Sequence, residues 1–467
     1  MTTQVQIPPS LPSNGLAGHL LQLTYEPFPL FRRAAEVGDV VTLRALNRKI
    51  YFISHPDRIK HVLVTNQKNY QKGRALQATQ QVVGQGLLTS EGDFHRMHRH
   101  LMQPAFHRRQ IAGYADTMVR FTEAHLHRWH SGQQLDLHRE MMELTMNIAA
   151  ETLFGADITA RSKELNHALN HLMEDFSFFD ATPLGRVLRK LPTVRNLRRK
   201  HWLKTLDTAI YDFIKKGQIE ERNNLLSMLL AADEGASLTL EQIRDEVMTL
   251  FIAGHETTAN AIVWTFYLLA QHPEVEAKLW DELEQVLSGR LPTAEDTGRL
   301  KYTRMVLSEA MRLYPPAWAV GRNAIEDDEV GGYSIPAGST VVISQWVMHR
   351  HPTYWPDPLT FKPERFDPET APRRPRYTYF PFGGGGRACI GEAFAWMEGI
   401  LLIAVLAQRF KFELTSTEPV LPQPGITLRP KNGLPVIIRE RQAAYRTSKP
   451  DIASVPTERK CFEFGQV

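Results

Sequence analysis

From about Asp57 onward, apolar residues recur every three or four positions along most of the chain, the spacing of amphipathic helices. The longest such stretch runs from Thr239 to about Gln271. Thr239 and Gln242 make a capping box at its start, and Pro273 marks its stop. At ~1.5 Å per residue this helix is roughly 50 Å long and crosses most of the molecule. Residues 300–313 and 393–410 predict two more apolar helices. Strand patterns are few and short. After a short helix at 28–37, the alternating runs 40–46 and 49–54 predict a hairpin. Runs at 340–343, 426–428 and 436–438 predict small sheets around a helical body. The fold class is therefore mainly α with small β-sheets (α+β).

The apolar pattern of the long helix breaks once. Ala253-Gly254-His255-Glu256-Thr257-Thr258 sets a carboxylate and two hydroxyls inside the run 248–269. Burying one unpaired hydroxyl costs roughly 2–7 kcal/mol. A threonine bonded back to a carbonyl one turn earlier, with the Glu exposed, would be a sufficient structural explanation. The other explanation is chemistry.

Composition narrows the classes. Of 467 residues, 43% are apolar and 23% charged, as in a soluble globular protein. Two cysteines exclude a disulfide framework and fit a reducing compartment. No apolar run of about 18 residues predicts a membrane-spanning helix, and residues 1–15 lack the pattern of a signal peptide; a cytoplasmic location is expected. The formal charge of +4 gives no sign of a nucleic-acid partner. Basic residues cluster at Arg186, Arg189, Lys190, Arg195, Arg198, Arg199, Lys200 and Lys204, interleaved with Val187, Leu188, Leu191, Val194, Leu197 and Trp202. This is either a solvated helix face or a peripheral membrane contact. A second cluster, Arg373, Arg374 and Arg376, suits docking of an acidic electron donor. After residue 442 the chain becomes a polar tail, 443–467, which holds Cys461.

The other cysteine ends a glycine-rich loop, Phe382-Gly-Gly-Gly-Gly-Arg387-Ala-Cys389-Ile-Gly391, that runs into the apolar helix. No Gly-Lys-Ser/Thr follows, so it is not a Walker phosphate loop. Phe382, Gly385, Arg387, Cys389 and Gly391 fill the pattern F-x-x-G-x-R-x-C-x-G, and here the chain resembles the cytochrome P450 family of haem-thiolate monooxygenases. The resemblance implies one haem domain, 1–442, holding haem b with Cys389 as the axial thiolate ligand. Such a ligand pushes electron density toward bound oxygen.

The segment 253–258 resembles the family's oxygen-activation motif. The resemblance implies that the small Ala253 and Gly254 let cofactor and O2 approach closely, that Thr257 hydrogen-bonds the oxygen, and that Glu256 relays protons. Glu309, Arg312 and Arg365 match its buried Glu-Arg-Arg triad. His95, Arg96 and Arg99 match its propionate-binding helix, with His95 where tryptophan is common, and Arg322 and Arg387 are further propionate partners. Pocket residues fall at 74–88, 176–179, 316–320 and 426–427, mostly apolar or aromatic, so a lipophilic substrate such as a fatty acid or terpene is expected. No dinucleotide fingerprint is present; electrons are expected from a ferredoxin or flavodoxin with its NAD(P)H reductase. The alternatives are a haem-thiolate peroxygenase or isomerase needing no external electrons, and a haem gas sensor.

Overall fold

The computed structural model describes residues 6–13, 15–174, 185, 188, 191–219, 224–231 and 238–441. The expected tail 443–467 and the pocket positions 176–179 lie outside the described residues. The body is helical and is organised around Leu240–Gln271, a helix of 32 residues. Its capping box forms as expected: the Thr239 side chain accepts from the Gln242 amide at 3.2 Å, and Gln242 Oε1 accepts from the Thr239 amide at 2.8 Å. Pro273 ends this helix by opening the next, Pro273–Leu287, at a first-turn position that needs no amide donor. The central helix packs along Leu137–Phe154 and is buried on nearly every side, which its almost continuous apolar sequence requires.

A five-stranded sheet lies at one side, in the order Val40–Ala45, Arg48–Ile53, Thr340–Ile343, Val320–Ala324, Tyr70–Lys72. The expected hairpin is its edge, and Arg48–Ile53 runs parallel to Thr340–Ile343. The last pairing sets Lys72 directly opposite Arg322. Gly73 and Gly321 make this crossing possible, since a Cβ on Gly73 would lie 2.9 Å from the Gly321 backbone.

A second sheet joins Gln134–Asp136, Pro435–Glu440 and Phe410–Leu414. The strand expected at 426–428 sits two residues later, at Leu428–Pro430, paired with Pro422–Pro424. The Gly425 amide donates to the Thr427 carbonyl and spends 425–427 on a turn instead.

Part of the first basic cluster lies on Val194–Gly217. Val194 and Leu197 on it, and Leu188 and Leu191 before it, are exposed, while Trp202 packs on the core. Among the described residues no helix is long and apolar enough to cross a membrane.

Candidate active site

Cys389 sits two residues before the N-cap of Glu392–Arg409. Its amide donates to the Phe382 carbonyl at 2.9 Å, closing the glycine loop into a ring. The loop is clamped from behind. Gly385 has φ +69°, and a Cβ there would come within 1.9 Å of the Leu63 carbonyl oxygen, so only glycine fits. The Gly386 amide donates to Gln67 Oε1 at 2.5 Å. Cys389 lies deep in the protein body, and burial pushes its thiol pKa up, while the Gly391 amide and the charges of Arg99 and Lys72 oppose that rise. Its side chain is nevertheless exposed. Phe382 stacks at a tilt on Trp396, 5.7 Å between ring centroids.

Beside the thiol, cations converge. Lys72, Arg99, Arg322 and Arg387 lie close enough to perturb one another, with Glu91 as the carboxylate among them. Arg387 donates to the Ser90 carbonyl at 2.6 Å and pairs with Glu91, whose other oxygen accepts from the Lys72 amide at 2.6 Å. Arg99 donates to the Ala388 carbonyl at 2.8 Å, tying its helix, Gly92–Met102, to the residue before Cys389. Burial, then Arg322 and Arg387, lower Lys72 to about 7, and Arg322 itself falls to about 10. His95 is lowered to about 3 by burial and the neighbouring cations, so it is neutral. Like charges opposed across a strand pair are destabilising; a site with this excess of buried positive charge suits a polyanion.

One expected member is absent from the cluster. Arg96 is exposed and pairs with Asp93. Successive helical residues turn through about 100°, so the face that buries His95 and Arg99 carries Arg96 outward. Lys72 and Glu91 join the cluster from outside the motif.

On the central helix, Ala253 and Thr257 are partly exposed where most of the helix is buried, and they share one face. The Thr257 hydroxyl donates to the Ala253 carbonyl at 2.8 Å, the back-bond to the preceding turn that a helical threonine can make. Gly254, next to Ala253, is partly exposed as well. A Cβ there would meet Ala149 at 3.7 Å and Leu153 at 3.8 Å, ordinary contact distances, so the backbone packing would also accept alanine. Glu256 is buried and accepts from the Thr427 hydroxyl. Glu398, a fully buried carboxyl on the helix after Cys389, is raised by burial to about 8 and contacts Thr258. That contact brings the thiol loop and the polar segment into the same region.

The triad assembles. Arg312 donates to both Glu309 oxygens at 2.6 and 2.8 Å, and Arg365 reaches Glu309 at 3.3 Å. Arg312 also holds the carbonyls of His349, Pro358 and Thr360. The His349 ring accepts from the Phe380 amide at 3.0 Å, which links the triad to the start of the thiol loop. In the second basic cluster Arg374 lies over the Trp355 ring and donates to the Arg365 carbonyl, while Arg373 and Arg376 remain exposed.

A family model described as Cytochrome P450 matches residues 8–436. The chain belongs to the cytochrome P450 family. It is 38% identical to a cyclooctatin synthase of Streptomyces melanosporofaciens, over 89% of this chain and 90% of that one. It is 32% identical to a pentalenene oxygenase of Streptomyces avermitilis, over 87% and 91%. The solved haem domain of cytochrome P450DA superposes with a TM-score of 0.84 at 26% identity, covering 95% of this chain and 99% of that one. This P450 is accordingly a monooxygenase of the haem-thiolate type, acting on a lipophilic small molecule with O2 and reducing equivalents.

Proposed function

We propose that this P450 binds haem b through Cys389 and hydroxylates a polycyclic terpene, taking electrons from a separate ferredoxin or flavodoxin with its NAD(P)H reductase. The single observation that supports the cofactor assignment best is the convergence of Lys72, Arg99, Arg322 and Arg387 beside the exposed thiol of Cys389. Two carboxylates and an iron–thiolate bond answer that donor set in charge and chemistry. When bound, haem supplies oxygen activation at a thiolate-ligated iron.

The chain does the rest. Cys389 holds the metal, with the Gly391 amide directed at its sulfur and Phe382 keeping water away. Gly385 lets the loop seat against the Leu63 carbonyl. Arg99, Arg322, Arg387 and Lys72 hold the propionates, with neutral His95 at their edge. Ala253 leaves room beside the ring. Thr257 has committed its proton to the Ala253 carbonyl, so its lone pairs accept from the open face. Glu256 delivers protons to that face. The terpene reading draws on relatives named pentalenene oxygenase and cyclooctat-9-en-7-ol 5-monooxygenase, the latter 35% identical over 88% of this chain.

A spectral screen tests the reading. Purified protein is titrated with polycyclic C15 and C20 terpenes and with long-chain fatty acids, and the Soret shift to high spin is recorded. Saturable shifts with the polycyclic terpenes are expected. Shifts confined to the fatty acids would overturn the substrate class.

Two further results are expected. Glu256→Gln keeps shape but loses the titrating proton; product formation should fall by about 10²-fold, the lower range for losing a general acid–base group, with peroxide released in place of product. Normal coupling would remove Glu256 from proton delivery. The second concerns Lys72 in cofactor-free protein. Its folded pKa, about 7, lies below the ordinary 10.5, so between these pH values the unfolded chain binds more protons than the folded one. Stability therefore rises with pH across that window, by at most about 1.4 kcal/mol per unit. Denaturation midpoints from pH 7 to 10 should climb, and the slope should flatten in Lys72→Met and in haem-loaded protein, where an anion keeps the lysine charged.

A further inference from the structure

Thr427 lies in the turn between Pro422–Pro424 and Leu428–Pro430, far in sequence from the central helix, yet its hydroxyl stands between two residues of that helix. It accepts from Asn260 Nδ2 at 3.2 Å and donates to Glu256 Oε1. Glu256 and Asn260 are four residues apart and so share a face. All three are buried: Asn260 is 0% exposed, Glu256 4% and Thr427 6%. A hydroxyl has one proton. With Asn260 donating from one side, that proton is committed to the carboxylate. His138, at the start of Leu137–Phe154, lies close to this pair, and burial lowers its pKa.

A hydrogen bond to a charged group contributes roughly 1.5–3 kcal/mol, which offsets only part of the cost of burying a carboxylate. It does fix the direction of one. A glutamate side chain has three rotatable bonds, and a group that passes protons to a defined point must hold one geometry to within a fraction of an ångström.

We infer that Thr427, aligned by Asn260, is a positioning residue for Glu256, anchoring its carboxylate from the 425–427 turn in the orientation needed for proton delivery. The inference rests on the reading of Glu256 given above.

The test compares Thr427→Val, Thr427→Ser and Asn260→Leu with Glu256→Gln, using the terpene that gives the largest Soret shift and a surrogate ferredoxin with its reductase. Peroxide released per NAD(P)H and the solvent isotope effect on product formation are measured. Crystal structures of Thr427→Val and the parent protein supply a readout independent of turnover. Thr427→Val should raise peroxide release about threefold or more and increase the isotope effect, with Glu256 displaced in the crystal and the carbon monoxide spectrum intact. Thr427→Ser should restore coupling, since it returns the hydroxyl. Asn260→Leu, which removes the aligning donor and leaves Thr427 in place, should uncouple to an intermediate degree and stands in if the valine variant folds poorly. Parental coupling in Thr427→Val and Asn260→Leu alongside an uncoupled Glu256→Gln overturns the inference, as does an unmoved Glu256. Parental coupling in Glu256→Gln overturns the underlying reading instead.

Discussion

Replacing Cys389 with serine should abolish the red-shifted Soret band of the reduced, carbon monoxide-bound protein and take terpene hydroxylation below detection. Sulfur and oxygen differ little in size here, so the fold should survive; the chemistry is what changes. Desolvation by the surrounding protein pushes the thiol pKa up, away from the thiolate a metal requires. Three features oppose that: the Gly391 amide and the cations Arg99 and Lys72. A coordinated metal completes the deprotonation. A serine hydroxyl is a far weaker acid than a thiol, and the same surroundings leave it neutral. Haem would then sit in the cation cluster with a weak axial ligand or none, and it would lose the electron donation that drives O–O cleavage. The measurement is the reduced carbon monoxide difference spectrum of parent and variant, with haem content quantified in each. A retained red-shifted band in Cys389→Ser would mean that another residue is the ligand. A band absent from the parent as well would remove the thiolate assignment.

Features written within one segment were legible from sequence; those made by distant pairing were not. The central helix declared itself through its capping box and its apolar length, and the thiol loop through spacing that leaves little choice of residue. Glu309 and Arg312 sit one turn apart, and their pairing could be read locally. Lys72 gives no such sign. It stands on a three-residue strand that pairs with Val320–Ala324, about 250 positions away, and only that pairing sets it opposite Arg322. Glu91 joins the cluster for the same reason, through Arg387. Arg96 was misplaced because a motif names residues while a helix distributes them around an axis. Glu398 left a readable trace: a carboxylate inside the apolar run 393–410, where only burial with a neutral, protonated side chain fits. Strand 426–428 failed because a glycine turn outcompeted a short β pattern.

Arg312→Leu should cost about 3–5 kcal/mol of stability, the usual range for breaking a buried ion pair by removing one partner. Arg312 and Glu309 are both 0% exposed, so neither group left behind can recover its interactions from water. The variant strands Glu309 with Arg365 at 3.3 Å and the Lys362 amide at 3.0 Å, and it leaves the carbonyls of His349, Pro358 and Thr360 without their guanidinium donor. Arg312→Lys should fare little better, since an ammonium cannot reproduce a planar fork that meets both carboxylate oxygens and three carbonyls. Adding Glu309→Leu to Arg312→Leu should recover part of the loss, because the stranded carboxylate goes with it; the two changes will not add. The damage should spread beyond stability. His349, whose carbonyl Arg312 holds, also accepts the Phe380 amide with its ring, two residues before Phe382 and the loop that ends on Cys389. Haem occupancy in purified Arg312→Leu should therefore fall below that of a variant equally destabilised in the sheet Gln134–Asp136, Pro435–Glu440 and Phe410–Leu414. Denaturation midpoints paired with haem-to-protein ratios decide it. Equal haem loss at equal destabilisation would make the triad a prop for the whole fold, whereas a selective loss identifies it as the part of the fold that holds the thiol loop in place.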